Sequence, residues 1–198
     1  MFPDLTRDDV FRIETRRLWL RWPTAKDAEA VLRLAGDLAV AEMTARIPHP
    51  LPRAEVDAFL LQARRGNAAG TGLTLALARR SAPADLIGIV AVSGGADGPE
   101  LGYWLGRPHW GAGLMGEAVA AIRDAYFAYA GGDVLRASAR LDNPASRRLL
   151  ERSGFVRTAT EARSFLTRGD DVTVDLFRLE RARWLGASAI GPETAFAA

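Results

Sequence analysis

A ten-residue stretch, HWGAGLMGEA (109–118), carries the first pattern in the chain that could do chemistry. Its glycines, Gly111, Gly113 and Gly116, have the spacing G-x-G-x-x-G. Glycines let the backbone turn tightly, and the unpaired N–H groups at the start of a following helix favour a pyrophosphate. The same residues also suit a glycine-rich helix start that binds nothing. From this stretch alone both interpretations stay open.

The surroundings of the glycines bear on which phosphate ligand they would hold. A nicotinamide-dinucleotide fingerprint needs a strand that runs directly into the first glycine, and an acid about 20 residues after the motif. Here GRPHW (106–110) separates the predicted strand from Gly111, and the acid Asp142 lies farther from the motif than the fingerprint requires. A nucleoside-triphosphate loop needs G-K-[ST], which is absent from the sequence. A nicotinamide-dependent oxidoreductase therefore remains only an alternative.

A second segment, NPASRRLLERSGF (143–155), has residues at both ends that start and stop a short helix. Asn143 suits the N-cap and Gly154 suits the residue after the last turn. Capping does not explain why Ser146 and Arg147 occupy the first turn. Asn143 and Ser146 follow the carboxyl end of a predicted strand, where open α/β sheets bind ligands.

Hydrophobic periodicity and turn residues predict the elements that position these segments. Strands are expected at 11–23, 72–79, 86–93, 99–105, 134–141, 161–167 and 172–180, and helices at 24–37, 53–66, 114–130 and 143–155. On the third helix, Val119, Ile122, Tyr126 and Tyr129 predict one buried face. The proline-rich segment 38–52 is expected to be a loop with room for one helical turn.

Together these elements predict one mixed α/β (α+β) domain over residues 1–184. Its first half is antiparallel, and a β-α-β unit spans 99–141. Residues 185–198 show no periodicity and are expected to form a mobile tail.

Composition narrows the function classes. The chain has 198 residues and no cysteine, which excludes disulfides, thiolate metal sites and a cysteine nucleophile. The formal net charge is +2 and the basic residues are scattered among acids, so a nucleic-acid surface is not expected. The two histidines have no ligand-spaced partners, so no metal is expected.

The compartment follows from the apolar runs and the first residues. LTLALA (73–78) and LIGIVAV (86–92) are too short to cross a bilayer, so no membrane association is expected. The opening MFPDLTRDDV carries acids where a signal peptide would be basic. A cytoplasmic protein is therefore predicted.

Three segments together carry a family resemblance. ELGYWLGRPHWGAGLMGEA (100–118) is followed about 25 residues later by NPASRRLLERSGF, and IETRRLWLRWPTAKDAEAV (13–31) stands near the beginning. In this order they resemble the GNAT-type acetyl-CoA-dependent N-acetyltransferases, above all the branch of the ribosomal-protein-alanine N-acetyltransferases. The resemblance runs from about residue 12 to residue 180.

The resemblance implies a GNAT acyl-CoA N-acyltransferase fold, a mostly antiparallel splayed sheet flanked by helices, with acetyl-CoA as acyl donor. Pantetheine is then expected between the strands at 100–105 and 134–141, paired with backbone near Trp104 and Leu105. The implied cofactor contacts of the pyrophosphate loop are Trp110, Gly111, Ala112, Gly113, Leu114, Met115 and Gly116. Two positions depart from the family pattern, because Met115 replaces a small residue and Ala112 a commoner polar one.

The resemblance also implies roles in direct transfer within a ternary complex. Glu100 matches the family's acid and is the candidate base, although an exposed acid after a turn explains it as well. Asn143 would bond pantetheine or a bound water, and Ser146 would protonate the leaving thiolate. Arg147 or Arg148 would meet the adenosine phosphate, although a solvated helix face explains both equally well.

The implied acceptor is a primary amine, on a protein or peptide N-terminus or on a small molecule. Segments 38–52 and 156–171 are expected to shape its site, and the protein is expected to be a monomer or homodimer. The alternative within the same fold is a regulatory module that binds acyl-CoA without turnover.

Overall fold

Eight strands form a single sheet in the computed structural model, which describes residues 12–95 and 97–188. Their order across the sheet is β1-β2-β3-β4-β5-β6-β8-β7. The strands are β1 (Arg12–Glu14), β2 (Leu18–Arg21), β3 (Gly72–Arg79), β4 (Ala82–Gly95), β5 (Gly98–Leu105), β6 (Val134–Arg140), β7 (Val156–Ser164) and β8 (Asp171–Glu180). Neighbours are antiparallel except β5 and β6, which are parallel.

Helices cover both faces of the sheet. They are α1 (Ala28–Ala35), α2 (Leu38–Ala41), α3 (Arg53–Ala69), α4 (Leu114–Ala125), α5 (Pro144–Arg152) and α6 (Arg181–Ser188). One core lies between the sheet and α4 and α5, and a second lies between the sheet and α1 and α3. The predicted mixed α/β fold with its β5-α4-β6 unit is therefore confirmed. No helix among residues 12–95 and 97–188 is both long and apolar enough to span a membrane.

The strand predicted at 11–23 is wrong in one respect, because it is a hairpin of two strands. β1 and β2 pair antiparallel, with Ile13 opposite Leu20. The N–H of Thr15 donates to the carbonyl of Leu18 at 3.0 Å, and the N–H of Leu18 donates back to the hydroxyl oxygen of Thr15 at 3.0 Å. This tight turn interrupts the alternating pattern that predicted one strand.

The helix predicted to stop at Gly66 continues to Ala69. A glycine inside a helix costs only about 1 kcal/mol, and tertiary contacts offset that cost here. The amide of buried Asn67 pairs with the backbone of Thr74 on β3, at 2.7 and 2.8 Å. These bonds hold the last turn of α3 against the sheet.

Two predictions near the carboxyl end are also corrected. β7 begins at Val156 rather than at 161, and its residues are almost all exposed, so no hydrophobic alternation marks it. Residues 185–188 belong to α6 rather than to a tail, because Trp184 stacks on Phe127 with ring centroids 5.4 Å apart. Residues 189–198 of the predicted tail lie outside the described residues.

Helix α4 keeps its predicted extent but not its whole predicted face. Its continuation, Tyr126–Ala130, is π-helical, with a wider turn than an α-helix. The change of pitch rotates Tyr129 into solvent, where 89% of its surface is exposed, and buries Phe127. Val119 and Ile122 are buried as predicted.

Candidate active site

The parallel strands β5 and β6 separate soon after they meet. They pair at Glu100 with Arg136 and at Leu101 with Ala137, and β5 continues to Leu105 without pairing β6 further. The predicted splay of these two strands is therefore present. The space between the two strands beyond their last pair is called the gap below.

The register of β5 decides which backbone groups face this gap. The N–H of Gly106 donates to the carbonyl of Ile87 at 2.9 Å, and the pairing of β4 with β5 continues without a shift. Because backbone groups alternate along a strand, those of Trp104 point to β4, while those of Tyr103 and Leu105 point to the gap. Leu105 faces the gap as expected, but Tyr103 takes the place expected for Trp104.

The glycine stretch forms a turn that leads into α4. Gly111 and Gly113 have φ angles of 75° and 70°, a left-handed conformation that side chains disfavour. Gly113 is the N-cap of α4. Within the described part of the chain, no backbone N–H from Gly111 to Gly116 donates to a protein acceptor. Six consecutive donors at a helix N-terminus form a site that suits a phosphate.

Arg17 and Glu117 fasten this turn to the β1–β2 hairpin. The carboxylate of Glu117 accepts from the hydroxyl of Thr15 at 2.5 Å, and from the backbone N–H and Nε of Arg17 at 2.7 Å each. Nη1 of Arg17 then donates to the carbonyl of Ala112 at 2.8 Å. Burial works to raise the pKa of Glu117, but these donors together outweigh it and hold the pKa below the usual value. Glu117 is thus an anionic anchor for the loop.

Other residues of the loop have structural contacts of their own. Trp110 is 47% exposed, and its indole N–H donates to the carbonyl of Leu105 at 2.6 Å. Leu114 and Met115 are buried in the core beneath α4. The side chain of Met115 therefore packs into the core instead of facing the loop. A Cβ at Gly116 would meet nothing within 4 Å, so packing does not require glycine there.

Ser146 and Tyr103 meet across the opening. Their oxygens lie 2.7 Å apart, with either hydroxyl able to donate. Burial raises the pKa of Tyr103 to about 12, and the bond to Ser146 lowers it only partly. The backbone N–H of Ser146 donates to Oδ1 of Asn143 at 3.0 Å, which makes Asn143 the N-cap of α5 as predicted. The cap uses the carbonyl oxygen of this amide, and its NH₂ group is left for other partners.

Glu100 lies on the opposite face of the sheet. Leu101, Tyr103 and Leu105 pack in the core under α4 and α5. Because side chains alternate along a strand, Glu100, next to Leu101, points to the other face of the sheet. Its carboxylate lies 2.7 Å from Nη1 of Arg163 and accepts from the hydroxyl of Ser138 at 3.2 Å. It is 23% exposed and lines a cavity of about 280 Å³.

Arg147 has a partner that the sequence did not indicate. Its Nε lies 2.8 Å from the carboxylate of Asp175, which is fully buried on β8. Arg157 and Thr160 on β7 contact the same carboxylate, at 3.3 and 2.9 Å. Burial works to raise the pKa of Asp175, but these hydrogen bonds and the charge of Arg147 hold it below its usual value. Arg147 thus ties α5 to the sheet, while Arg148 beside it is exposed.

Sequence reasoning missed Tyr103, Arg163 and Arg17. Tyr103 stands inside the quoted segment 100–118 and alternates with Trp104, so strand periodicity was the available signal. The contacts of Arg163 and Arg17 join segments more than 60 residues apart, and no local sequence pattern indicates them. Among the described residues, no group of three or more metal-binding side chains lies close enough to hold a metal ion.

Comparisons with known proteins identify a family for the fold. The profile of the acetyltransferase (GNAT) domain family matches residues 17–156, more than half of the chain. No significant match is found among curated protein sequences.

Several solved structures share the fold. The ribosomal-protein-S5-alanine acetyltransferase from Vibrio fischeri superposes with a TM-score of 0.75 at 18% identity, covering 88% of this chain and 98% of its own. RimL, a ribosomal L7/L12 alpha-N-protein acetyltransferase in complex with coenzyme A, has a TM-score of 0.73 at 16% identity, covering 86% and 98%. The microcin C7 self-immunity acetyltransferase MccE, in complex with acetyl-CoA and AMP, has 0.68 at 18%, covering 84% and 93%. With its family profile matched over most of its length, the chain belongs to the GNAT family of acetyltransferases.

Proposed function

We propose that the protein transfers an acetyl group from acetyl-CoA to a primary amine while both substrates are bound. One observation carries the proposal: the gap between β5 and β6 has free N–H donors at its α4 end, Glu100 on one face and the Ser146–Tyr103 pair on the other. A thioester threaded through the gap would have a carboxylate on one side and hydroxyl donors on the other. RimL with coenzyme A and MccE with acetyl-CoA support the choice of donor.

The donor would be held mainly by backbone groups. Its pyrophosphate would accept from the N–H groups of residues 111–116, and its pantetheine would pair with Tyr103 and Leu105 in the gap. The NH₂ group of Asn143, which the cap of α5 does not use, would bond the pantetheine. Arg148 suits the adenosine phosphate better than Arg147, whose charge is paired with Asp175.

The acceptor amine would be prepared on the Glu100 side. An α-amine has a pKa of about 7.7–8.0, so a base of modest strength is enough to deprotonate it. Glu100 takes this role, directly or through a water, and its ion pair with Arg163 fixes where the carboxylate points. The nitrogen forms a bond to the acetyl carbon, and the proton that it loses passes to Glu100 and then to solvent.

The leaving sulfur would be stabilised on the Ser146 side. As the carbon–sulfur bond breaks, the thiolate accepts a hydrogen bond from the hydroxyl of Ser146, which accepts in turn from Tyr103. With a pKa of about 12, Tyr103 keeps its proton and remains a donor throughout the neutral range. A thiol has a pKa of about 8.5, so the thiolate takes up a proton from solvent and leaves as the free thiol.

The acceptor is proposed to enter between two loops. The N–H of Leu166 donates to the carbonyl of Ala45 at 3.1 Å, and the hydroxyl of Thr167 donates to that of Ile47 at 2.5 Å. These bonds join the segments that were expected to shape the acceptor site. The ribosomal-protein acetyltransferases among the structural neighbours support a protein N-terminus as one acceptor.

Thiol release from acetyl-CoA with a panel of peptides and small amines tests the proposal. We expect turnover with at least one amine, and a loss of about 10²- to 10⁴-fold in kcat for Glu100→Gln, because general-base catalysis contributes this much. Tight CoA binding with no thiol release on any amine would favour a non-catalytic acyl-CoA-binding module. Protection from thermal unfolding by NAD(P), with none by CoA, would favour the oxidoreductase.

A further inference from the structure

The cavity beside Glu100 is lined by six charged side chains from four parts of the chain. Its volume is about 280 Å³, just below the usual range for ligand pockets, so a single small residue or molecule fits it. The lining side chains are three arginines and three carboxylates: Arg46, Arg136, Arg163, Asp97, Glu100 and Glu161.

The charges of this cavity sum to zero, but they are not paired one to one. Arg163 contacts two of the carboxylates, Glu100 at 2.7 Å and Glu161 at 2.6 Å. Arg46 and Arg136 form no ion pair with any residue in 12–95 or 97–188. Two unpaired guanidinium groups therefore face the cavity with Asp97 as their only remaining counter-charge in its lining.

Both unpaired arginines stand on well-fixed backbone. Arg46 lies between Ala45 and Ile47, whose carbonyls accept hydrogen bonds from the β7–β8 loop. Arg136 lies on β6, paired with β5 on one side and β8 on the other. A Cβ at Gly98 would stand 2.9 Å from Nη1 of Arg136, so the glycine leaves room for this guanidinium.

We infer that the acceptor amine carries a carboxylate a few bonds from its nitrogen, held by Arg46 and Arg136 while the amine faces Glu100. This inference rests on the proposed acetyl transfer and names its substrate class. Guanidinium groups bind carboxylates through paired, charge-assisted hydrogen bonds. A zwitterionic acceptor complements a cavity whose lining holds the carboxylate of Glu100 and two arginines without ion pairs. The carboxylate belongs either to a free amino acid or to an acidic side chain of a peptide.

Matched acceptor pairs test the inference and separate the two sources. Alanine is compared with alaninamide, and the amide of serylaspartate with the amide of serylasparagine, by thiol release from acetyl-CoA. We expect kcat/KM to be at least about tenfold higher for the anionic member of one pair, the value of one charge-assisted hydrogen bond. A preference within the first pair identifies a free amino acid, and one within the second pair an acidic peptide.

Substitution of the arginines gives a second readout. Arg46→Gln and Arg136→Gln should each lower kcat/KM for the anionic acceptor about 10- to 100-fold, mainly by raising KM, and leave its neutral partner unchanged. Arg65→Gln, which removes the same charge from an exposed position on α3, is the matched control and should change neither. Equal kcat/KM for both members of each pair overturns this inference but leaves acetyl transfer intact. Failure to acetylate any amine overturns acetyl transfer and the inference with it.

Discussion

The hydroxyl pair of Tyr103 and Ser146 joins β5 to α5 at the point where the sheet opens. If Ser146 donates to the leaving sulfur, Ser146→Ala should lower kcat about 10²-fold or more with little change in KM for acetyl-CoA. Tyr103→Phe should lower kcat less, because the serine hydroxyl remains. Tyr129→Phe removes an equivalent hydroxyl from an 89% exposed side chain and serves as control. Equal kcat for Ser146→Ala and wild type would rule out this role.

The pKa of Tyr103 also predicts the shape of the pH profile. Because burial raises this pKa to about 12, the hydroxyl stays protonated below that value. We expect kcat to rise as the amine deprotonates near pH 8 and then to stay level up to about pH 10. Measurement of kcat from pH 6 to 10 checks this. A fall in kcat between pH 8 and 10 that disappears in Tyr103→Phe would mean that Tyr103 titrates within this range.

Asp175 is the buried charge on which the α5 side of the site depends. Asp175→Asn should lower the free energy of unfolding by about 3 kcal/mol, at the low end for a broken buried pair because Arg147 and Arg157 are partly exposed. The pKa of Asp175 is depressed in the folded protein, so its contribution is complete above about pH 4 and is lost as pH falls through the folded pKa. Urea unfolding at pH 7 and pH 3 measures both values. A difference between wild type and variant that grows at low pH would contradict the account.

At the scale of elements, the start of α4 depends on a left-handed glycine. Gly113→Ala places a Cβ on a residue with φ of 70° and should cost about 1–2 kcal/mol. The strained turn should also weaken CoA binding by about tenfold. Gly116→Ala is the matched control, because its Cβ would contact nothing inside a regular helix. Equal CoA affinity for both variants, measured by calorimetry, would show that the turn does not bind the pyrophosphate.

The contacts of Arg17 with Ala112 and Glu117 connect the β1–β2 hairpin to the turn before α4. Arg17→Gln removes the guanidinium that holds the carbonyl of Ala112. The ion pair is partly exposed, so we expect a modest loss of about 1 kcal/mol in CoA binding, roughly fivefold, with kcat unchanged at saturation. Arg16→Gln, at the neighbouring exposed position, should not change the affinity. A drop in kcat without a change in CoA affinity would assign Arg17 to the chemistry instead.

Across the whole molecule, the sequence predicted the parts of the fold that follow local rules. The helix at 143–155 carries its own N-cap, and the β-α-β unit around α4 follows from strand, turn and helix signals in succession. The position of the glycine turn before α4 was therefore predictable. So were Glu100 and Ser146 as candidates, because the family resemblance names them.

The remainder depends on contacts between distant segments. The start of β7 carries no hydrophobic alternation, because its residues pair with β8 while their side chains remain exposed. Helix α6 depends on Trp184 stacking on Phe127, which the π-helical turn buries. In the same way, Asp175 takes Arg147 and Arg163 takes Glu100 across the sheet. Local sequence patterns do not indicate such pairs between distant segments.

Calorimetric titration of the wild-type protein with coenzyme A tests the central claim most directly. The account predicts one binding site per chain for CoA, binding that weakens in Gly113→Ala, and no binding of NAD or NADP under the same conditions. Absence of CoA binding to the wild-type protein, or binding of NAD(P) in its place, would contradict the account.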